Sequence, residues 1–435
     1  MKRGALVLFL LFWGCRDDAG DLELGALFDP TETVFADAGA SAEAGPAVAA
    51  EEPPSPLPAS CAGDTNIPAR ALECTGLYAA IESKLIANQV RAFSPAVPLW
   101  SDGADKKRWI YLPPGTKIDN SNASEWTFPV GTKAWKEFSH GGRRVETRLW
   151  QKVRDNFWVK ATYAWNADES AAIVSGGGDV TLPAGGTYHI PTPDECQQCH
   201  RGRSDRLLGF EHVSLGLPGA TGVTLQDLVT QQRLSVPPAI TTLQIGDDGT
   251  AAAAAPLAWL HINCGTTCHN ANSNAVAYSA GMILRLDPAK LDGRSALELE
   301  PMKTTIGVPG KSTTWNGRTR VVAGNAEGSL LYQLITSRGV ANQMPPIATR
   351  IVDQVNDALV ADWINKMPAA PAPVIDAATI DAPPVDAGGP GAPDAPAPND
   401  AVATNDAAEA DAGAGTDAAA AADAEADAGD AAALD

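Results

Sequence analysis

Cys196-Gln197-Gln198-Cys199-His200 sets two thiols three positions apart and an imidazole directly after the second. On a single turn such thiols reach the two vinyl groups of one porphyrin while the adjoining imidazole is directed at the iron, which is the spacing of c-type haem attachment with His200 as proximal ligand. A second run, Cys264-Gly265-Thr266-Thr267-Cys268-His269, carries one more residue between its thiols. Gly265 tolerates backbone angles closed to other residues and is expected to absorb the insertion in a tight or bulged loop. The second run reads as another haem site with His269 proximal; its rival is a Cys264–Cys268 disulfide without haem. Zinc held by the four thiols is a further alternative. Against it, a Cys and the His beside it rarely both bind one tetrahedral ion, and the two runs lie far apart in sequence. A thioredoxin-like role for Cys196 and Cys199 lacks the strand-to-helix setting that such chemistry uses.

The remaining His, Met and Cys residues are assigned around these runs. Met344 stands in Gln343-Met344-Pro345-Pro346, where the prolines stiffen an extended loop and a thioether can face the iron opposite His269. Met282 and Met302 are the fallbacks. No Met stands out for the first haem; His212 and His189 flank its run and either could supply a second imidazole. His140, beside Gly141-Gly142, is expected in a turn, and His261, in Trp259-Leu260-His261-Ile262, as a packing residue. Of the seven Cys, four serve two haems, Cys15 takes lipid, and Cys61 with Cys74 remain as a disulfide closing a short loop, which leaves no thiol as a nucleophile.

The elements that must position these residues fall into an α+β chain. From about Arg108 to Ile190, β-branched and aromatic residues alternate with polar ones between turn signals, as in Arg108-Trp109-Ile110-Tyr111, Glu125-Trp126-Thr127-Phe128, Val145 to Trp150, Phe157 to Tyr163 and Asp179 to Leu182. This predicts an antiparallel β-rich domain over 61–190. A first haem segment follows over 191–250. Helical periods then appear: Leu225, Leu228 and Val229 share a face, as do Leu330, Leu331 and Leu334. In a last helix near Val352 to Lys366, Val352, Val355, Leu359, Val360, Trp363 and Ile364 form one apolar stripe. The helical haem region spans 251–367.

Charge and composition bound the rest. The formal charge of −20 sits in the flanks: fourteen acids and no base follow Lys366, and ten acids against one base lie between Arg16 and Ser60. With Lys2 and Arg3 at the start, the body from Cys61 to Lys366 carries +1. A net-acidic chain without a basic tract argues against a nucleic-acid partner. Lys2 and Arg3 precede an apolar run from Ala5 to Trp13, too short for a bilayer's roughly 20 helical residues, so residues 1–14 read as an export signal. Phe12-Trp13-Gly14-Cys15 resembles a lipoprotein cleavage site, with Cys15 lipidated; Phe12 and Trp13 are bulkier than usual there, and an ordinary secretory cut nearby is the alternative. The expected place is the periplasm or outer membrane, held by lipid alone. Residues 15–60 read as a disordered tether and 368–435, built from Asp-Ala and Ala-Pro units, as a disordered acidic tail.

Pro98 to Trp109, Phe128 to Thr132, Glu146 to Leu149, Tyr163 to Asn166, the first haem run, Trp259 through His269, Gly324-Asn325 with Ser329 to Leu331, and Met344-Pro345-Pro346 with Trp363-Ile364 together resemble a family of exported bacterial proteins that carry c-type haem sites. The resemblance covers most of Cys61 to Lys366 and implies haem binding and electron transfer; it settles no substrate chemistry. The enlarged second run and the long acidic tail depart from it. The reading is a dihaem cytochrome c passing single electrons to redox partner proteins in the envelope. The alternatives are a dihaem peroxidase-like oxidoreductase, which needs one five-coordinate iron, and an envelope-binding module in which haem is structural. In the second, Pro98 to Trp109 could serve as an aromatic platform; otherwise that segment is a turn into an exposed strand.

Overall fold

Between Asp105 and Trp165 the alternation of aromatic or β-branched residues with polar ones produces long strands with two unlike faces. The computed structural model describes residues 53–182, 185–315 and 317–369. A small hairpin of β1 (Tyr78–Ala80) and β2 (Leu85–Ile86) comes first. Then follow β3 (Arg91–Ser94), β4 (Asp105–Tyr111), β5 (Lys133–His140), β6 (Arg143–Arg154), β7 (Phe157–Trp165) and β8 (Ala172–Ser175). A second hairpin, β9 (Gly178–Thr181) with β10 (Thr187–Ile190), precedes a return strand, β11 (Thr221–Gly222). The main sheet has seven strands in the order β11-β3-β4-β5-β6-β7-β8, antiparallel throughout.

Both faces of this sheet are covered. Trp109, Trp135, Leu149 and Tyr163 point to one side and pack with Leu72, Leu77 and Ile81. Ile110, Ala134, Trp150 and Trp158 point to the other, against Phe210, Leu215, Leu225 and Leu228. The α+β class stands, with one expected strand missing. Glu125-Trp126-Thr127-Phe128 lies in the connection from β4 to β5 and makes a single bridge, Asp119 to Thr127. Its alternation is real, since Trp126 and Phe128 are buried, but β4 pairs directly with β5 and leaves no edge for another strand.

Seven short helices complete the described chain: α1 (Pro193–His200), α2 (His212–Gly216), α3 (Leu225–Thr230), α4 (Ala254–Leu260), α5 (Glu300–Thr305), α6 (Leu330–Ile335) and α7 (Gln354–Lys366). α4, α6 and α7 share an apolar core built around Leu257, Trp259, Leu331, Val360, Trp363 and Ile364. The expected stripe on α7 is half right. Val355 is 74% exposed and Leu359 40%, while Asp357 is buried at 3%. The inward face is therefore centred on 357, 360 and 364, and a carboxylate occupies a place the pattern gave to Val355.

Cys61 and Cys74 are joined, with sulfurs 1.99 Å apart. Of the expected tether, Pro53 to Ser60 lie within the described chain and dock on the body: Asn88 Nδ2 donates to the Pro53 carbonyl at 2.8 Å, and the Ser55 amide donates to Asn88 Oδ1 at 2.9 Å. The expected signal, Cys15, most of the tether and nearly all of the acidic tail lie outside the described residues. No described helix is long and apolar enough to cross a membrane.

Candidate functional site

α1 presents the first run, and its start is fixed by local chemistry. Thr192 caps it: Thr192 Oγ1 accepts the Glu195 amide at 3.3 Å, and Glu195 Oε2 accepts the Thr192 amide at 2.8 Å, with Pro193 in the first turn. His189 on β10 braces this cap. Its Nδ1 meets Asp179 Oδ1 at 2.7 Å and its Nε2 meets Glu195 Oε2 at 3.1 Å, and these carboxylates, Asp179 first, hold the imidazole above its ordinary basicity. With both nitrogens on carboxylates, His189 has no lone pair for iron and drops out as a ligand candidate.

At the far end of α1 the His200 ring stacks on Trp150, with centroids 4.0 Å apart and planes 16° from parallel. Its Nδ1 lies 2.6 Å from the Arg206 carbonyl oxygen. A carbonyl only accepts, so Nδ1 carries the proton; burial pushes the imidazole down to about 3, and the neutral ring keeps an Nε2 lone pair that no group among the described residues uses. The carbonyl is placed in turn by Asp205, which accepts from Lys152 Nζ at 2.7 Å, Trp158 Nε1 at 2.8 Å and the Phe128 amide at 2.6 Å. Cys196 and Cys199 are free thiols one turn back. Burial raises both, and Cys199 reaches about 12 with the Cys268 thiol as the next cause, so neither is a thiolate at neutral pH.

The second run begins where α4 widens into a π-helical turn, His261–Gly265. Thr266 N donates to the His261 carbonyl and His269 N to the Cys264 carbonyl, each at 2.8 Å and five residues back. The wider turn absorbs the inserted residue. Gly265 is required here for a different reason from the one expected. A Cβ on it would lie 2.5 Å from the Arg285 amide nitrogen and 2.6 Å from the Leu284 carbonyl, so it is the close approach of 284–285, and not a left-handed angle, that demands glycine. Cys264 and Cys268 are free thiols, against the disulfide alternative. Burial, and then the Arg320 guanidinium, push His269 down to about 4, against the Met282 backbone, which pulls the other way.

The two runs meet in space. A Cβ on Gly202, just past α1, would stand 1.7 Å from the Thr267 carbonyl oxygen, so the two loops touch backbone to backbone. Arg201 Nε donates to the Asn274 carbonyl at 2.6 Å across the same contact. His261 bridges it more deeply than a packing residue does: Nδ1 accepts the Leu286 amide at 2.9 Å, which leaves Nε2–H to donate to Glu211 at 3.3 Å, the residue that caps α2.

Met344 lies in the connection from α6 to α7. Its amide donates to the Leu334 carbonyl at 2.9 Å, Arg338 Nη1 donates to its carbonyl at 3.1 Å, and its side chain borders the apolar core that Cys264 and Met282 also border. Met302 is buried in that core. His212 is buried against Trp126, with ring centroids 6.2 Å apart and Nδ1 unpartnered. His140 closes β5 at the turn, as expected, and packs on Tyr188.

Sequence reasoning missed the work of Pro98 to Trp109. Asp102 accepts the amides of Arg350 and Ile351 at 2.9 and 3.0 Å, Trp100 Nε1 donates to the Ile351 carbonyl at 2.8 Å, and the Trp100 amide donates to Asn263 Oδ1 at 2.7 Å. The segment clasps the Met344 loop and the residue before Cys264 together. Ser-Asp-Gly signalled the turn; nothing local signalled its partners.

As donor sets, Cys196, Cys199 and His200, and Cys264, Cys268 and His269, fit a porphyrin held by two thioethers and one imidazole: the thiols are unpaired and the His200 Nε2 is unused. Among the described residues neither run brings three ligand atoms within 4.8 Å of one another, as a preformed zinc site would. Among the described residues the one group of three ligand atoms within 4.8 Å of one another is Cys61, Glu73 and Cys74, and its two sulfurs are spent in the disulfide. No protein-family model matches the chain, and neither a curated protein nor a solved structure matches it.

Proposed function

We propose that this chain is a c-type cytochrome with two haems that carries single electrons at the bacterial cell envelope. The observation that carries the reading is His200, a neutral imidazole with Nδ1–H fixed on a backbone carbonyl and Nε2 unused, beside two free thiols at the attachment spacing. Cys196, Cys199 and His200 hold the first haem, and Cys264, Cys268 and His269 the second, with Met344 as its sixth ligand. A bound haem supplies a one-electron iron couple, and a thioether sixth ligand raises its potential relative to a second imidazole. The chain's own residues bury the ligands, orient the imidazoles and hold the two runs in contact through Gly202 and Thr267. Export, attachment through lipid on Cys15 and redox partner proteins in the envelope belong to the same proposal; nucleic acid does not. The test is a spectroscopic redox titration of the exported protein. Two one-electron waves of different midpoint support the reading, and a chain with no haem absorbance sinks it.

A further inference from the structure

β4, β5 and β6 pair so that Arg108 stands opposite Lys136, and Lys136 opposite Arg148. Like charges directly across a sheet repel, and water relieves this row only in part: Arg108 is 7% exposed, while Lys136 and Arg148 are half-buried. Burial pushes Arg108 down to about 10 and Lys136 well below its ordinary value, with Arg108 the next cause on Lys136. One carboxylate serves the row. Glu146 takes Arg148 Nε at 3.0 Å and its Nη2, and also accepts the Tyr188 hydroxyl at 2.5 Å. Among the described residues neither Arg108 nor Lys136 has a hydrogen-bond or ion-pair partner, and Lys136 Nζ rests 4.7 Å from the Phe138 ring centroid. All three cations line one cavity of about 90 Å³, together with Trp150 and His200.

Buried cations without a counter-charge cost stability, and an apolar residue at either place would relieve that cost. We propose that the cavity is an anion site, in which Arg108 and Lys136 grip a carboxylate or small oxyanion and Arg148 completes the cradle. A cavity of about 10–15 Å³ by the same measure already holds one water, so the space admits a small group of several heavy atoms. Two sources offer that chemistry: a propionate of a haem tethered at Cys196 and Cys199, or a free anion of the envelope. The first source rests on the proposed function; the site itself rests on the sheet.

The experiment uses the full exported chain, wild type, Lys136→Met and Arg108→Met, and a haemless Cys196→Ser/Cys199→Ser variant, with acetate and sulfate as probes at matched ionic strength. Calorimetric titration and the haem midpoints are read together. A free anion is the ligand if the haem-loaded wild type binds a probe saturably and Lys136→Met weakens it tenfold or more. A propionate is the ligand if only the haemless variant binds the probe, and Lys136→Met lowers one haem midpoint while leaving the other in place. The site is overturned if no form binds either probe and Lys136→Met melts no lower than wild type with both midpoints unchanged. If intact mass finds no haem on Cys196 and Cys199, the function reading fails while the titration still decides the anion site. Should Lys136→Met not fold, Lys136→Gln and Arg108→Gln carry the same readings.

Discussion

With its Nδ1 proton donated to Arg206, the His200 ring offers a lone pair in one direction only, and Asp205 sets where that carbonyl stands. Asp205 also answers Lys152, whose side chain is wholly buried. Asp205→Ala leaves that ammonium buried without a counter-charge, held only by the Phe128 carbonyl, and removal of one partner of such a pair costs about 3–5 kcal/mol, read by denaturant unfolding. Asp205→Ala with Lys152→Met recovers most of it, since the stranded charge is then gone. His189 gives a pH dependence whose sign is fixed by its neighbours. Its folded basicity is raised above the ordinary value near 6.5, so its contribution is complete below that pH and is lost as pH rises through the higher folded value. Asp179, by its bond from His189, and Glu195, by the Thr192 amide and then His189, are held below their ordinary range, and their contributions are lost at the acid end, as pH falls through those depressed values. Melting temperature should therefore decline in wild type as pH rises past about 6.5, and His189→Gln should abolish that decline; a slope unchanged by the substitution counts against the contact.

At the scale of elements, the clasp made by Asp102 and Trp100 ties the loop after Met344 to the sheet and to Asn263. Asp102→Ala removes the acceptor for two exposed backbone amides, which water then serves, so the cost is about 0.5–1.5 kcal/mol. Its optical consequence should fall on one haem: a weakened methionine-to-iron band, with both covalent attachments intact by mass. An unchanged band would separate the clasp from Met344. The two runs were readable in the sequence because the Cys-x-x-Cys-His pattern is local, and the inserted residue of the second announced an irregular turn. The reason for Gly265 was not readable, since it depends on the backbone of 284–285 passing within contact of it. The α7 stripe misled because apolar periodicity ranks residues by type, whereas Asp357 is carried inward by the packing of Val360 and Ile364. Trp126 and Phe128 alternate as a strand does, yet the pairing of β4 with β5 left them no partner.

Across the whole molecule, register and long-range contact do what no local pattern could foretell. The row of Arg108, Lys136 and Arg148 exists only once three strands pair, and the contact of Gly202 with Thr267 only once the sheet and the helices have met. That contact brings the two runs together as a relay needs, and it turns the count of attached haems into the central quantity. The direct measurement is the intact mass of the protein exported from a host that matures c-type haem, beside a Cys264→Ser/Cys268→Ser variant. The account predicts two haem additions in the wild type and one in the variant. An unmodified wild-type mass, with all four thiols titratable after denaturation, would contradict it.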